Sequence, residues 1–199
     1  MRRFLFLPLV AALALLTGGA DNAPDILSQV INNPAVGSWQ VSGLGQAPTP
    51  RTDESVQGGK ALRIAVPAKG ENEWDVSAGM AVGKPVKSGD TLLLAVWARA
   101  ETPPQGSTTA RLPILIQQNS APYTPIAQSE VAVTGKWALY YVSATVTQDW
   151  GGGTLGIAVH LAGAKQTIDL GPAFLLDLGQ NYDAAKLPQN PVVADNSPA

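Results

Sequence analysis

The sequence predicts an all-β fold, a two-sheet β-sandwich, from three observations. From about residue 60 onward, apolar residues recur at every second position in short runs, the spacing that puts one row of side chains on one face of a strand. Glycine and proline, 20 and 16 of 199 residues, gather between these runs in "KSGD", "ETPPQGSTT", "NSAPY" and "QDWGGG", where turn chemistry is needed. Charged residues make up only 14% of the chain, and no segment carries a helical stripe of useful length, which removes the helical classes.

The opening "MRRFLFLPLVAALALLTGGA" has two arginines, an apolar run over residues 4–16 and small residues at Gly18 and Ala20. It reads as a secretory signal peptide, 1–20, whose apolar run is shorter than the roughly 20 residues of a spanning helix. The expectation is a secreted or periplasmic protein with no membrane insertion after cleavage. Residues 21–183 then form one sandwich domain. Residues 21–50 offer only short extended pieces around Trp39 to Ser42 and beyond Gln46, and "DILSQVI" a single helical turn. "KALRIAV" is a strand with Leu62, Ile64 and Val66 on one face; residues 74–81 read as the next. In "GDTLLLAVWARAET", Leu92, Leu94, Val96 and Ala98 form the apolar row, so Trp97 and Arg99 fall on the opposite face. "RLPILIQQ" splits likewise, Leu112, Ile114 and Ile116 against Arg111, Leu115 and Gln117, with Pro113 suggesting an edge or bulge. "IAQSEVAV", "WALYYVSATV", "TLGIAVHLA" and "QTIDLGPAFLLDL" complete about nine or ten strands. The tail 184–199 has no pattern and is expected to be disordered.

Composition excludes several activities. With no cysteine, disulfides and thiol catalysis are excluded, and the domain must be held by its core. A net charge of −2 without a basic cluster argues against nucleic acid as a partner. The single His160 would have to serve any serine-hydrolase arrangement, and no nucleophile-elbow motif accompanies it. "GGGTLG" satisfies the spelling of a dinucleotide fingerprint, but a strand follows where the phosphate-binding helix should begin. Glu71 with Glu73 and Asp53 with Glu54 sit in loops beside cations and do not resemble the separated carboxyl pair of a glycosidase.

What remains is aromatic and polar. Trp74, Trp97, Trp137, Trp150 and Tyr123 are a heavy aromatic allotment, with Trp137 the first choice for a core position. Trp97, Arg99, Arg111, Gln117, Gln128 and His160 all fall opposite the aliphatic rows. Planar rings and forked amide or guanidinium groups can stack on a sugar ring and bond its hydroxyls in pairs.

Taken together, "GGKALRIAV", Trp74, "VGKPVKSGDTLLLAVWARAE", "PYTPIAQSEVAVTGKWALYYVSATV" and "LGIAVHLAGAKQTIDLGPAFLLDLG" resemble the galactose-binding-like carbohydrate-binding modules of the family 4/9/22 type, found at the N-termini of bacterial xylanases and related glycanases. The resemblance covers nearly the whole mature chain. It implies a jelly-roll sandwich that binds polysaccharide, of the xylan or β-glucan class, in a groove on a concave sheet. It matches Trp97 and Arg99 to a Trp-Ala-Arg-Ala element, Tyr123 to a loop aromatic and Trp137 to a buried Trp. It also implies, in many such modules, a structural calcium ion, for which Asp169 and Asp177 are the nearby carboxylates, and a glycoside hydrolase as partner, here separately encoded. The expected site is thus Trp74, Trp97, Arg99, Arg111, Gln117, Tyr123, Gln128 and His160, without catalysis. The alternatives are a structural or protein-interaction sandwich of the envelope and, behind it, a glycan-acting hydrolase or its accessory subunit.

Overall fold

A computed structural model describes residues 26–191; the expected signal peptide and residues 192–199 of the tail lie outside them. Ten strands form two antiparallel five-stranded sheets. In chain order they are β1 (Gln40–Ser42), β2 (Thr49–Thr52), β3 (Lys60–Val66), β4 (Ser77–Ala81), β5 (Asp90–Thr102), β6 (Thr109–Gln118), β7 (Pro125–Thr134), β8 (Ala138–Thr145), β9 (Leu155–His160) and β10 (Gln166–Gln180). The front sheet has the order β1-β4-β9-β6-β7 and the back sheet β2-β3-β10-β5-β8, so the chain changes sheet between most successive strands, as in a jelly roll.

The aliphatic rows meet between the sheets. Leu92, Leu94, Val96 and Ala98 of β5 are fully buried in one cluster with Leu112, Ile114 and Ile116 of β6 and with Ile157 and Val159 of β9. Each such Leu or Ile contributes about 1.5–3 kcal/mol by leaving water. In a chain without disulfides this core holds the two sheets together.

The back sheet has a second apolar layer on its outer face: Val56, Ala61, Ala95, Trp97, Leu139, Phe174 and Leu176. The chain itself covers this layer. Ile31 N–H donates to Leu175 O at 2.9 Å and Asp177 N–H to Gln29 O at 3.0 Å, so the N-terminal segment pairs with the part of β10 that extends past β3. Gly171, in the irregularity of β10 between Leu170 and Ala173, lets the cover close, since a Cβ there would lie 2.7 Å from both Trp97 Cβ and Val56 Cγ2.

Three local expectations are corrected. Trp74 is not in a strand but in a short 3-10 turn, Glu73–Asp75. Pro113 lies in an interior strand, yet the pairing of β6 with β9 covers only Ile114 to Gln118, so the proline sits where that side of β6 is locally open. Trp137 packs half-buried on the outer layer of the back sheet, not in the main core. The described part of the tail, residues 184–191, makes specific contacts with the domain. Asp183 caps the turn Ala184–Lys186, Leu187 is buried, and the Asn190 amide accepts from Tyr141 N–H at 2.6 Å and donates to Tyr141 O at 2.9 Å. One side-chain amide thereby imitates a further strand against the edge of β8, an arrangement with no periodic signature in sequence.

Candidate functional site

The outer face of the front sheet is open, and its registers set the outward residues in transverse rows. One transverse row runs Gln40, Gly79, Ala158, Leu115, Gln128, and a parallel one Ala81, Gly156, Gln117, Pro125. A third begins Ser42, Ser77, His160. Glycine or alanine therefore occupies the middle of the sheet where neighbouring positions carry amides and hydroxyls, and, apart from Gly156, over which the Asn119 side chain sits, the small residues leave a floor between taller walls. The resulting groove has a volume of about 670 Å³ and is lined by Trp74, Tyr123, His160, Gln117 and Gln128 together with Ser42, Ser77, Glu73 and Leu115.

The two walls are held from outside the sheet. Trp74 projects from the 3-10 turn, which is closed by a capping box in which Asn72 N–H donates to Asp75 Oδ2 at 2.9 Å. That bond holds the Asp75 carboxyl below its ordinary pKa. Ala162 N–H donates to Glu73 O at 2.9 Å and Leu161 N–H to Val76 O at 2.9 Å, fastening the turn to the end of β9. His160 meets the indole edge-on, ring centroids 6.0 Å apart. Burial lowers the His160 pKa, so the imidazole is neutral near pH 7 and offers one donor and one acceptor. Opposite, Tyr123 has φ +56, an uncommon conformation for a residue with a large side chain. Its loop supports that geometry: Tyr123 N–H donates to Ser120 O at 2.7 Å, Gln118 N–H to Thr124 O at 3.0 Å, and Asn119 N–H to Thr154 O at 2.8 Å. Trp74 at 59% and Tyr123 at 56% exposure are the two exposed aromatics among the described residues, and both face this groove.

Five of the eight expected ligand residues thus come together: Trp74, Gln117, Tyr123, Gln128 and His160. Arg111 lies beyond them on the same sheet, paired with Glu130 at 2.9 Å, and lines a smaller adjoining recess. Trp97 and Arg99 are elsewhere. Alternation placed them correctly opposite the core row, but that face belongs to the back sheet and is sealed. Trp97 is 8% exposed and donates from Nε1 to Gln57 Oε1 at 3.0 Å. Arg99 is paired across the sheet with Asp169, as is Arg63 from the other side. Arg63 is bidentate to Asp169 at 2.8 and 2.9 Å, while Arg99 bonds Asp169 at 2.9 Å, Glu101 at 3.0 Å and Asp53 at 3.1 Å. The guanidinium also lies 5.1 Å from the centre of Trp137, whose Nε1 donates to Asp53 Oδ2 at 3.0 Å. Two cations and three carboxylates satisfy one another over the outer apolar layer. Hydrogen bonds from Ser55, then from Trp137, hold Asp53 at a pKa of about 2, and Asp169 raises the already high pKa of Arg63.

Of the two carboxylates considered for calcium, Asp169 does not fit a cation. Both oxygens of the fully buried Asp169 face guanidinium groups, which would repel a second positive charge. Asp177 accepts Gly179 N–H at 2.9 Å and is pushed to a raised pKa by burial and by the neighbouring Asp90. Among the described residues, no group of three or more His, Cys, Asp or Glu is placed to hold a metal ion.

Ser42, Ser77 and Glu73 were not anticipated. The serines are ordinary outward positions on short strands, and Glu73 reads from sequence as a solvated loop charge. The available signal was the glycine and alanine spacing in "SAGMA" and "LGIAVH", small residues on the face opposite the core row.

No family model and no curated protein matches the sequence. Solved structures do. A CBM4 structure superposes with a TM-score of 0.55 at 23% identity, over 71% of this chain and 95% of that one. The CBM22-1 xylan-binding domain from Paenibacillus barcinonensis Xyn10C superposes with a TM-score of 0.53 at 16% identity, over 80% and 99%. An arabinose-bound GH51 α-L-arabinofuranosidase matches over 74% of this chain but only 25% of its own length, with a TM-score of 0.53 at 20% identity. The chain is a two-sheet jelly-roll β-sandwich that shares its fold with these carbohydrate-binding modules.

Proposed function

We propose that the protein is a non-catalytic module that binds a neutral polysaccharide of the xylan or β-glucan class in the groove of the front sheet. The observation that carries this reading is the convergence of the two exposed aromatics, Trp74 and Tyr123, on a groove whose floor presents Gln117, Gln128, Ser77 and the neutral His160. Rings with an apolar face stack on pyranose C–H surfaces, and amides bond vicinal hydroxyls in pairs. The superposition with carbohydrate-binding modules supports the same reading. Each hydrogen bond to sugar replaces one to water and contributes about 0.5–1.5 kcal/mol net, so the expected affinity is on the order of micromolar to millimolar. The opening residues of the sequence support export, and no helix of the described residues is long and apolar enough to cross a membrane. A glycoside hydrolase is the partner such a module would serve.

Affinity electrophoresis against xylan, mixed-linkage β-glucan, pectin and alginate tests this. Retardation by a neutral β-linked polymer is expected, with no shortening of the polymer on prolonged incubation. Absence of retardation by every polymer would return the protein to the structural or protein-interaction class, and shortening would show catalysis.

A further inference from the structure

A second, smaller recess of about 230 Å³ adjoins the groove. Glu73 lines both. Its other walls come from the loop after β5, from Thr109 and Arg111 at the start of β6, and from Gly163, Ala164 and Gln166 where β9 passes to β10. It is smaller than the roughly 300–1,000 Å³ of sites for drug-sized ligands, and suits one sugar unit better than a run of them.

Its chemistry is unusual in one respect. Gln166 is 3% exposed; its Nε2 donates to Leu161 O at 2.7 Å, whereas its Oε1 is buried with no hydrogen-bond partner in the protein. Among the described residues it is the one buried side-chain oxygen or nitrogen left in that condition. A buried acceptor without a donor is costly, and such groups mark places where an external donor completes the bond. The remaining charged groups are Glu73, Glu130 and Arg111, the last two joined at 2.9 Å. The recess therefore carries an excess of negative charge and of acceptors, which favours hydroxyl donors and disfavours a carboxylate.

We infer that this recess is a subsite for a neutral sugar branch on a polysaccharide whose main chain lies in the groove, with Gln166 Oε1 accepting a branch hydroxyl. The inference rests on the proposed function and specifies its substrate class: a chain substituted with neutral sugars, in preference to an unsubstituted chain or one bearing uronic acid.

The test compares dissociation constants for linear xylan, arabinose-substituted xylan and glucuronic-acid-substituted xylan, and, for the alternative main chain, linear β-1,4-gluco-oligosaccharides and xylose-branched xyloglucan oligosaccharides. The neutral branched polymer is expected to bind about 2- to 10-fold more tightly than its linear counterpart, the range of one hydrogen bond. Gln166→Leu removes the acceptor. Because it also removes the bond to Leu161, Gly163→Leu is the second variant: a Cβ at Gly163 finds its nearest neighbour, Glu73 Oε1, at an ordinary 3.6 Å, so the added side chain can fill the recess without disturbing the strands. Both variants should bind linear polymer as the parent does and lose the preference for the branched one. Equal binding of linear and branched polymers by the parent, or a preference that survives Gly163→Leu, overturns the subsite while leaving the groove reading intact. Tighter binding of the uronic-acid polymer than of the arabinose polymer overturns the neutral class. Failure of every polymer to bind removes the groove reading and this inference with it.

Discussion

Substituting Trp74 with alanine removes a ring that faces the groove far more than it serves the fold. The side chain is 59% exposed and belongs to neither buried cluster; its ring contact is the edge-on one with His160 at 6.0 Å. A tryptophan presents on the order of 250 Å², so roughly 150 Å² is open here, and a pyranose laid on one face would cover about half of that, worth about 2 kcal/mol. Affinity for the polymer the protein retains best should therefore fall about 25-fold. Stability should change by no more than about 0.5 kcal/mol, the range of surface substitutions without a cap, cavity or buried charge. Isothermal titration with a soluble oligosaccharide and thermal unfolding of the same preparation measure the two quantities together. Unchanged affinity in a variant that melts with the parent would refute stacking at this wall, and a large drop in melting temperature would show that the indole is structural after all.

Trp97→Ala should do the opposite: loss of a buried ring is expected to cost about 3–5 kcal/mol, lowering the melting temperature by roughly 10 °C, while groove affinity is retained in the folded fraction. Asp169→Ala should also be destabilising, by about 2–3 kcal/mol in chemical denaturation, because it removes the buried carboxylate that two guanidiniums share and leaves them only Glu101 and Asp53; a cost under about 1 kcal/mol would mean the cluster is solvated. Asp53 has a folded pKa of about 2, below its unfolded value, so its contribution is complete above about pH 4 and is lost as the pH falls toward 2. Asp53→Asn should therefore be less stable than the parent by about 2 kcal/mol at pH 7, with the gap closing in acid unfolding between pH 4 and 2. Asp177 is shifted the other way, upward, by burial and by Asp90, which disfavours the folded state once the pH exceeds its folded pKa. Asp177→Asn keeps an acceptor for Gly179 and gains a donor toward Asp90, and should raise the melting temperature at pH 7 by about 2–4 °C in calorimetry.

Much of this arrangement was legible because strand alternation is a strict rule. The rows Leu92, Leu94, Val96, Ala98 and Leu112, Ile114, Ile116 are buried as their spacing requires, and Gln117, Gln128 and His160 do face outward. Alternation, however, specifies a face and not a sheet. Trp97 and Gln117 are both opposite a core row, yet β5 and β6 lie in different sheets, so residues grouped by parity end on opposite sides of the molecule. The sealing of the back sheet was also hidden, because it depends on non-periodic pieces: the bonds of Gln29 and Ile31 to β10, the turn Gln57–Gly59, and Asn190 against β8. Trp74 was found by its residue type rather than its structure, since the turn that displays it is fixed by a reciprocal Asn72 and Asp75 cap within four residues.

The contrast between the two outer faces explains why similar residue types serve different ends. Trp97 and Arg99 have the chemistry of a sugar contact, but their partners are internal: Gln57 takes the indole N–H, and three carboxylates take the guanidinium. Once every donor is satisfied and the apolar layer is covered, nothing there remains to recognise a ligand. On the front sheet the same step is missing. Gly79 and Ala158 occupy central positions where larger residues would bury more apolar surface and where glycine weakens a strand, and Tyr123 is held at positive φ rather than relaxed. These choices lower stability without improving packing within the chain. Their common effect is to keep a floor low and two aromatic walls apart, which benefits the protein only if something else fills the space between them.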